Sequence, residues 1–80
     1  MQARSSKPSK RQPAKVRFGL VLRHAREEMG LSQEVLADMA ELHRTYIGQV
    51  ERGERNISID NMEKLADAVN LPLWEMLRPE

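Results

Sequence analysis

The sequence predicts a small all-α domain built from five short helices. Apolar residues recur three and four positions apart along most of the chain, which is the spacing of one helix face. Capping and stop residues separate these segments from one another. Forty per cent of the 80 residues are apolar, which is enough for the core of a helical bundle. A chain of this length forms one domain at most, and domains of about 55 to 65 residues can fold alone.

The composition argues against several functional classes. The chain has no cysteine, so it has neither a disulfide nor a thiolate metal site. His24 and His43 are not spaced as metal ligands, and no nucleophile is paired with a base. We therefore expect no metal, no cofactor, no small-molecule ligand and no enzymatic activity. No apolar run approaches the roughly 20 residues of a membrane span, and no secretory signal is present, so we expect a cytoplasmic protein.

Residues 1–15 are predicted to form a disordered basic arm in front of a folded domain at residues 16–78. The arm carries five basic side chains and no acidic one, whereas the remaining residues carry eight basic and twelve acidic groups. A polar segment without large apolar side chains cannot bury enough surface to fold. Two interpretations of its charge are open. The arm either contacts nucleic-acid phosphates or a minor groove, or it is a solubilising tail.

The first predicted helix covers residues 16–29 and ends before Gly30, a natural stop. Ser32 is a good N-cap for the second helix, which opens at Gln33. The first helix has an apolar stripe made of side chains at helical spacing: Phe18, Val21, Leu22, Ala25 and Met29.

Two helical patterns then follow with almost no connector between them. Their apolar residues are, in the second helix, Val35, Leu36, Met39 and Ala40 and, in the third, Tyr46, Ile47 and Val50. Residues 41–43 allow only a tight turn, so these two helices must cross at a steep angle. Ala37 falls where they would touch, and Leu42 can fill the turn. This is helix-turn-helix geometry, in which the second helix of the pair can lie in the DNA major groove.

The third helix, at about residues 44–51, leaves a polar face once Ile47 and Val50 point inward. That face carries Arg44, Thr45, Gly48 and Gln49. Residues 45 and 49 are neighbours on one stripe because they are four positions apart. Arginine and glutamine suit the edges of guanine and adenine, respectively. The polar face is therefore the predicted DNA-reading surface, where Gly48 either permits close backbone approach or is simply tolerated.

Residues 31–53, LSQEVLADMAELHRTYIGQVERG, resemble the helix-turn-helix core of the lambda-repressor-like (Xre/Cro) family of bacterial and phage regulators. The LSQ opening and the YIGQVERG close carry the most specific part of the likeness, which extends more weakly over residues 16–77. The resemblance implies a compact five-helix lambda-repressor-like DNA-binding domain. One departure is Glu41, which stands where the family usually has glycine. A left-handed conformation there would cost roughly 1 kcal/mol or more.

The same resemblance implies roles for individual residues. It implies base contacts from Arg44, Thr45 and Gln49, with Arg44 on guanine the first expectation. It also implies contacts to the DNA backbone from Gln33, Arg52, Arg55 and Asn56. Two residues near the start of the third helix are added as candidates from their own chemistry: His43 for a phosphate or base contact and Tyr46 for a phosphate contact. For these, the alternatives are a solvated Gln33, a His43 that only caps the helix or has no role, a Tyr46 whose ring packs inward, and an Arg55 that is a free loop charge. Glu51 is implied to pair with Arg26 of the first helix in a structural salt bridge.

Ser58 is expected to cap a fourth helix at residues 59–69, and a short fifth helix is expected at residues 73–77. This last helix is rich in apolar side chains for so small a core. It is either the interface of a homodimer or a cap on the core of one subunit. The residues concerned are Leu73, Trp74, Met76 and Leu77.

The function favoured by these observations is sequence-specific binding of double-stranded DNA. We expect a small homodimeric transcriptional regulator on a pseudo-palindromic operator, because one helix-turn-helix unit reads only half a site. Its size resembles that of restriction–modification controllers, Cro-like proteins and antitoxin-type regulators. The alternative is an antitoxin-type interaction module whose main partner is a toxin protein. An enzyme is the weakest interpretation.

Overall fold

Among the described residues, five helices form the regular structure, in the order that the sequence predicts. The structure, a computed structural model, describes residues 12–79. The helices are α1 (Ala14–Glu28), α2 (Gln33–Ala40), α3 (Arg44–Glu51), α4 (Ile59–Ala68) and α5 (Leu73–Leu77). The predicted all-α, five-helix class is confirmed. No helix in the described part of the chain is both long enough and apolar enough to cross a membrane.

Helix α1 begins two residues earlier than predicted. Pro13 occupies the N-cap position, and its carbonyl accepts hydrogen bonds from the amides of Val16 and Arg17 at 2.9 and 3.1 Å. Ala14 and Lys15 are therefore helical, and their assignment to the arm is wrong. Residues 1–11 of the predicted arm lie outside the described residues.

The first four helices end in the same way. Each is followed by a residue with a left-handed backbone, at Gly30, Glu41, Gly53 and Asn70, with φ between 60° and 74°. The next amide then donates to a carbonyl five residues back, over 2.9 to 3.1 Å: Leu31 to Arg26, Leu42 to Ala37, Glu54 to Gln49 and Leu71 to Ala66. These bonds define four Schellman motifs. The left-handed conformation considered for Glu41 is thus present, with φ 60° and ψ 43°.

Every α-helix except α5 contributes at least two apolar side chains to one buried core. Its members are Phe18, Leu22, Leu36, Ala37, Ala40, Ile47, Val50, Leu65, Ala66, Val69 and Met76. Three predicted core residues are instead exposed: Met29 by 41%, Val35 by 44% and Met39 by 49%. Val35 and Met39 form one stripe of α2, and the adjacent stripe, which holds Leu36 and Ala40, faces the core. Ala37 is buried as predicted.

The backbones of α1 and α3 approach each other closely at Gly19. A Cβ atom at this position would lie 2.2 Å from the carbonyl oxygen of Val50 and 3.0 Å from that of Glu51. Only glycine fits such a contact, so Gly19 sets how near α1 lies to the end of α3. No pattern in the sequence predicts this role.

The inner face of helix α5 packs against the core and covers it. Met76 has no solvent exposure, so its predicted place in a dimer interface is wrong: it packs inside its own subunit. Leu73 and Leu77 are partly buried against the same core, whereas Trp74 is 64% exposed. Arg17 of α1 donates to the carbonyl oxygen of Leu77 over 3.1 Å, which ties the two ends of the domain together.

Candidate nucleic-acid interface

Helix α3 lies across the domain with one side buried and the other side open. Ile47 and Val50 have no solvent exposure, whereas Arg44 and Thr45 are exposed and Gln49 is half-buried. The helix begins after His43, whose backbone carbonyl accepts from the amide of Ile47 at 3.1 Å. The His43 side chain is exposed and makes no capping hydrogen bond, so the prediction that it caps the helix holds only for its backbone position.

Arg26 and Glu51 form the predicted ion pair beneath α3, and it is bidentate. Nε and Nη2 of Arg26 donate to the two carboxylate oxygens of Glu51 over 2.6 and 2.9 Å. Nη1 of Arg26 donates to the carbonyl of Leu31 over 2.8 Å. The two side chains are only 11% and 3% exposed. Because Arg26 donates hydrogen bonds to Glu51, the pKa of Arg26 is raised above its ordinary value.

Gln33 joins this buried pair at the start of α2. Its amide nitrogen donates to Oε1 of Glu51 over 3.0 Å, and its side chain is half-buried. One carboxylate therefore receives hydrogen bonds from both α1 and α2 while belonging to α3. This contact fixes the direction of Gln33 at the mouth of a cleft between α2 and α3.

Gly48 lies at the floor of that cleft and is buried, which corrects its predicted place on the exposed face. A Cβ atom there would meet Nη1 of Arg52 at 3.2 Å and Oε1 of Gln33 at 3.6 Å. The cleft is open, and its polar lining comes from both helices: Ser32, Gln33, Glu34, Arg44, Thr45 and Arg52, together with Arg26. Two of the predicted base-reading residues, Arg44 and Thr45, are thus brought together with two predicted backbone contacts, Gln33 and Arg52.

The loop after α3 carries the remaining predicted contacts. Arg52 is exposed and forms an ion pair with Glu54 over 2.9 and 3.3 Å. The hydrogen bonds that Arg52 donates lower the pKa of Glu54. Asn56 is exposed beside them. This pair is accessible to solvent, so Arg52 can leave Glu54 and pair with another anion at little cost in free energy.

Arg55 makes contacts that the sequence analysis missed. Its Nη1 donates to Oε1 of Gln49 over 2.8 Å, and its guanidinium lies 4.8 Å from the centre of the Tyr46 ring. The Tyr46 ring packs against the core, as one of its two interpretations predicted, and its hydroxyl accepts from Nδ2 of Asn61 over 3.2 Å. The third base-reading candidate, Gln49, is therefore held in a second group of residues, outside the cleft that Arg44 and Thr45 line.

The arrangement defines a class of protein: a helix-turn-helix domain that presents the polar side of its second helix to solvent. The helix-turn-helix family matches the chain over residues 22–73. The chain belongs to this family, which is one of DNA-binding transcription regulators.

Named relatives agree with this assignment. The control protein C.BamHI of Bacillus amyloliquefaciens is 44% identical over 61 residues, which covers 75% of each chain. The crystal structure of the restriction-modification controller protein C.AhdI from Aeromonas hydrophila has a TM-score of 0.74 at 48% identity, covering 78% of this chain and 94% of that one. The hypothetical transcription factor NHTF from Neisseria has a TM-score of 0.80 at 32% identity, covering 99% and 87%. The recognised resemblance to Xre/Cro-type regulators is thereby confirmed.

Proposed function

We propose that the protein binds a specific double-stranded DNA operator by placing α3 in the major groove. The observation that carries this proposal is that α3 is buried on one side and exposed on the other. Its underside is fixed by Ile47, Val50 and the Arg26–Glu51 pair, while its outer side presents Arg44 and Thr45 to solvent. Arg44, Thr45 and Gln49 are the proposed base-reading residues, and Arg44 would donate to guanine.

Contacts to the DNA backbone are proposed for residues on both sides of α3. Gln33 stands at the first turn of α2, where helix amide groups and the helix dipole favour a phosphate. Arg52 and Arg55 bring two positive charges to the loop after α3, and Asn56 adds an exposed polar side chain. His43 and Tyr46 would complete the set at the N-terminal end of α3. These contacts would position the domain, and α3 would read the sequence.

We further propose a homodimer formed through α5, bound to a pseudo-palindromic operator. The two most exposed large apolar side chains of the described residues are Ile59, at 67%, and Trp74, at 64%. They belong to α4 and α5, which pack against each other. Trp74 would lie at the centre of the interface, with the partly buried Leu73 and Leu77 beside it. A second subunit would supply the other half-site, one helical turn or a multiple of a turn away.

Within this class, the proposed role is that of a small transcriptional controller acting in the cytoplasm. The support comes from the relatives, since C.BamHI is a control protein and C.AhdI a restriction-modification controller protein. These likenesses favour DNA reading over the antitoxin-type interaction module that the sequence also allowed.

The test is selection of bound sites from random duplexes, followed by affinity measurement over a range of salt concentrations. A symmetric motif with two half-sites is expected, and the salt slope would report the number of phosphates contacted. Trp74→Ala should retain the half-site preference and lose the requirement for the second half. Wild-type protein that enriches no motif would exclude sequence-specific binding. A wild-type motif with one half-site would exclude the dimer alone.

A further inference from the structure

Gln49 is held in place by Arg55. The hydrogen bond between Nη1 of Arg55 and Oε1 of Gln49 is 2.8 Å long. The guanidinium is itself placed by the Tyr46 ring, 4.8 Å below it, and the Tyr46 hydroxyl is held by Asn61 of α4. A chain of contacts thus runs from α4 through Tyr46 and Arg55 to the side-chain amide of Gln49. This chain can determine which atoms of Gln49 a DNA base would meet.

The orientation of the Gln49 amide follows from the chemistry of its partner. A guanidinium carries only hydrogen-bond donors, so the amide atom that faces Arg55 has to be the oxygen. The opposite side of the amide then presents the Nε2 group with its two N–H donors. A glutamine that reads adenine needs both its oxygen and its nitrogen, because adenine offers N6–H as a donor and N7 as an acceptor. Because Arg55 draws the oxygen towards the loop, the amide nitrogen is the atom left to face a base, and Gln49 suits a base edge that offers only acceptors.

We propose, on the basis of the proposed DNA-binding function, that Arg55 is a positioning residue that sets the base preference of Gln49. With Arg55 in place, Gln49 acts as a donor and selects guanine, whose major-groove edge presents N7 and O6 as two acceptors. Without Arg55, the amide oxygen is released, and the side chain can form the paired contact with adenine. The base read at this position thus depends on a residue in the loop that follows α3.

Arg52 provides the matched control because it stands in the same loop and carries the same charge. It pairs with Glu54 and makes no contact with Gln49 among the described hydrogen bonds. Arg52→Ala and Arg55→Ala should therefore weaken DNA binding by a similar amount through the loss of one phosphate contact. Only Arg55→Ala should change a base preference.

The experiment is site selection from random duplexes with the wild type, Gln49→Ala, Arg55→Ala, Arg55→Lys and Arg52→Ala. The base pair read by Gln49 is the one whose preference Gln49→Ala abolishes. At that pair the wild type is expected to select guanine, and Arg55→Ala is expected to favour adenine over guanine by about tenfold. Arg55→Lys should give an intermediate preference, because an ammonium group can still donate to the amide oxygen but cannot stack as a planar group. Arg52→Ala should weaken binding evenly and leave the motif unchanged.

Three results would overturn the proposal. The first is a wild-type preference for adenine at the pair read by Gln49. The second is an Arg55→Ala variant that keeps the wild-type motif and only binds more weakly, which would make Arg55 a phosphate contact. The third is a Gln49→Ala variant with an unchanged motif. Each of these differs from a failure of the proposed function itself, in which the wild type would enrich no motif.

Discussion

The side of α3 that faces the core buries Ile47 and Val50 completely, and Arg26 holds Glu51 through two hydrogen bonds there. On the side that faces solvent, Arg52 and Glu54 of the following loop form an ion pair and Arg55 donates to the neutral amide of Gln49, and both contacts are exposed. A buried charge that loses its partner cannot regain water, whereas an exposed one can. This difference indicates that the fold is stabilised from one side of the eight-residue helix, which leaves the other side for the proposed recognition of DNA.

The largest expected effect is at Glu51, on the buried side. Glu51→Ala leaves the Arg26 guanidinium buried without its carboxylate and should lower the free energy of unfolding by about 3–5 kcal/mol. Urea unfolding followed by circular dichroism measures the change. If the domain fails to fold, Glu51→Gln retains the side-chain volume and one acceptor and should show a smaller loss.

Glu54→Ala is the matched control for this prediction, since it removes the carboxylate partner of the exposed Arg52. It should leave the unfolding midpoint unchanged, because water replaces the lost contact. Equal destabilisation by Glu51→Ala and Glu54→Ala would show that the buried and the exposed ion pair contribute equally to stability, which would contradict the prediction.

The second prediction compares two glycines in the middle of helices. Gly19→Ala places a methyl group against the backbone oxygen of Val50 and should destabilise the domain by about 1–3 kcal/mol. Gly48→Ala meets only the movable ends of Arg52 and Gln33 and should stabilise α3 by up to about 1 kcal/mol. Thermal unfolding of both variants provides the measurement. A Gly19→Ala variant that is not destabilised would show that the α1–α3 contact does not depend on Gly19, and a destabilised Gly48→Ala variant would show that the ends of Arg52 and Gln33 cannot move aside.

The third prediction concerns the exposed side. Arg44→Ala should weaken binding to the selected operator by about 1–3 kcal/mol and relax the preference at one base pair. Its unfolding free energy should not change, because the side chain is exposed. Fluorescence anisotropy titrations on the operator and on single-base variants measure the effect. Arg23→Ala removes the same charge from the exposed face of α1 and should alter neither quantity. An equal loss of affinity in both variants would remove Arg44 from the base-reading set.

The smallest expected effect is in the turn that sets α3 at its angle to α2. Glu41 has a left-handed backbone, so Glu41→Gly should stabilise the domain by about 1 kcal/mol. Asn70 has the same conformation after α4, and Asn70→Gly should gain less because asparagine tolerates it better. Differential scanning calorimetry can resolve the two shifts. A larger gain at Asn70 than at Glu41 would show that the turn is not strained.

The sequence predicted most of what depends on spacing. The five helices, the buried Ala37 and the Arg26–Glu51 pair all follow from patterns or from family likeness. Spacing could not decide which stripe of α2 is buried. Val35 with Met39 and Leu36 with Ala40 are both apolar pairs four residues apart, and a helix of two turns is too short to distinguish them.

The features that the sequence did not predict depend on contacts between elements distant in the chain. Gly19 has no local pattern, because its role comes from the carbonyl of Val50. Met76 and Trp74 are both large apolar residues of α5. Only the position of this helix on the core decides that Met76 is buried and Trp74 is exposed. The contact between Arg55 and Gln49 depends on the path of the loop after Gly53, for which composition gives no signal. The contact could have been suggested by the sequence only through the closeness of Tyr46, Gln49 and Arg55 along the chain.

Glu51 is the point at which three helices are joined, since α1 and α2 both donate hydrogen bonds to this one side chain of α3. A tilt of α3 alone would break these three hydrogen bonds. In the proposed complex, the domain should therefore dock as a rigid body. Any mismatch in shape would then have to be accommodated by bending or twisting of the duplex, so operators that deform easily should be favoured at base pairs that no side chain touches.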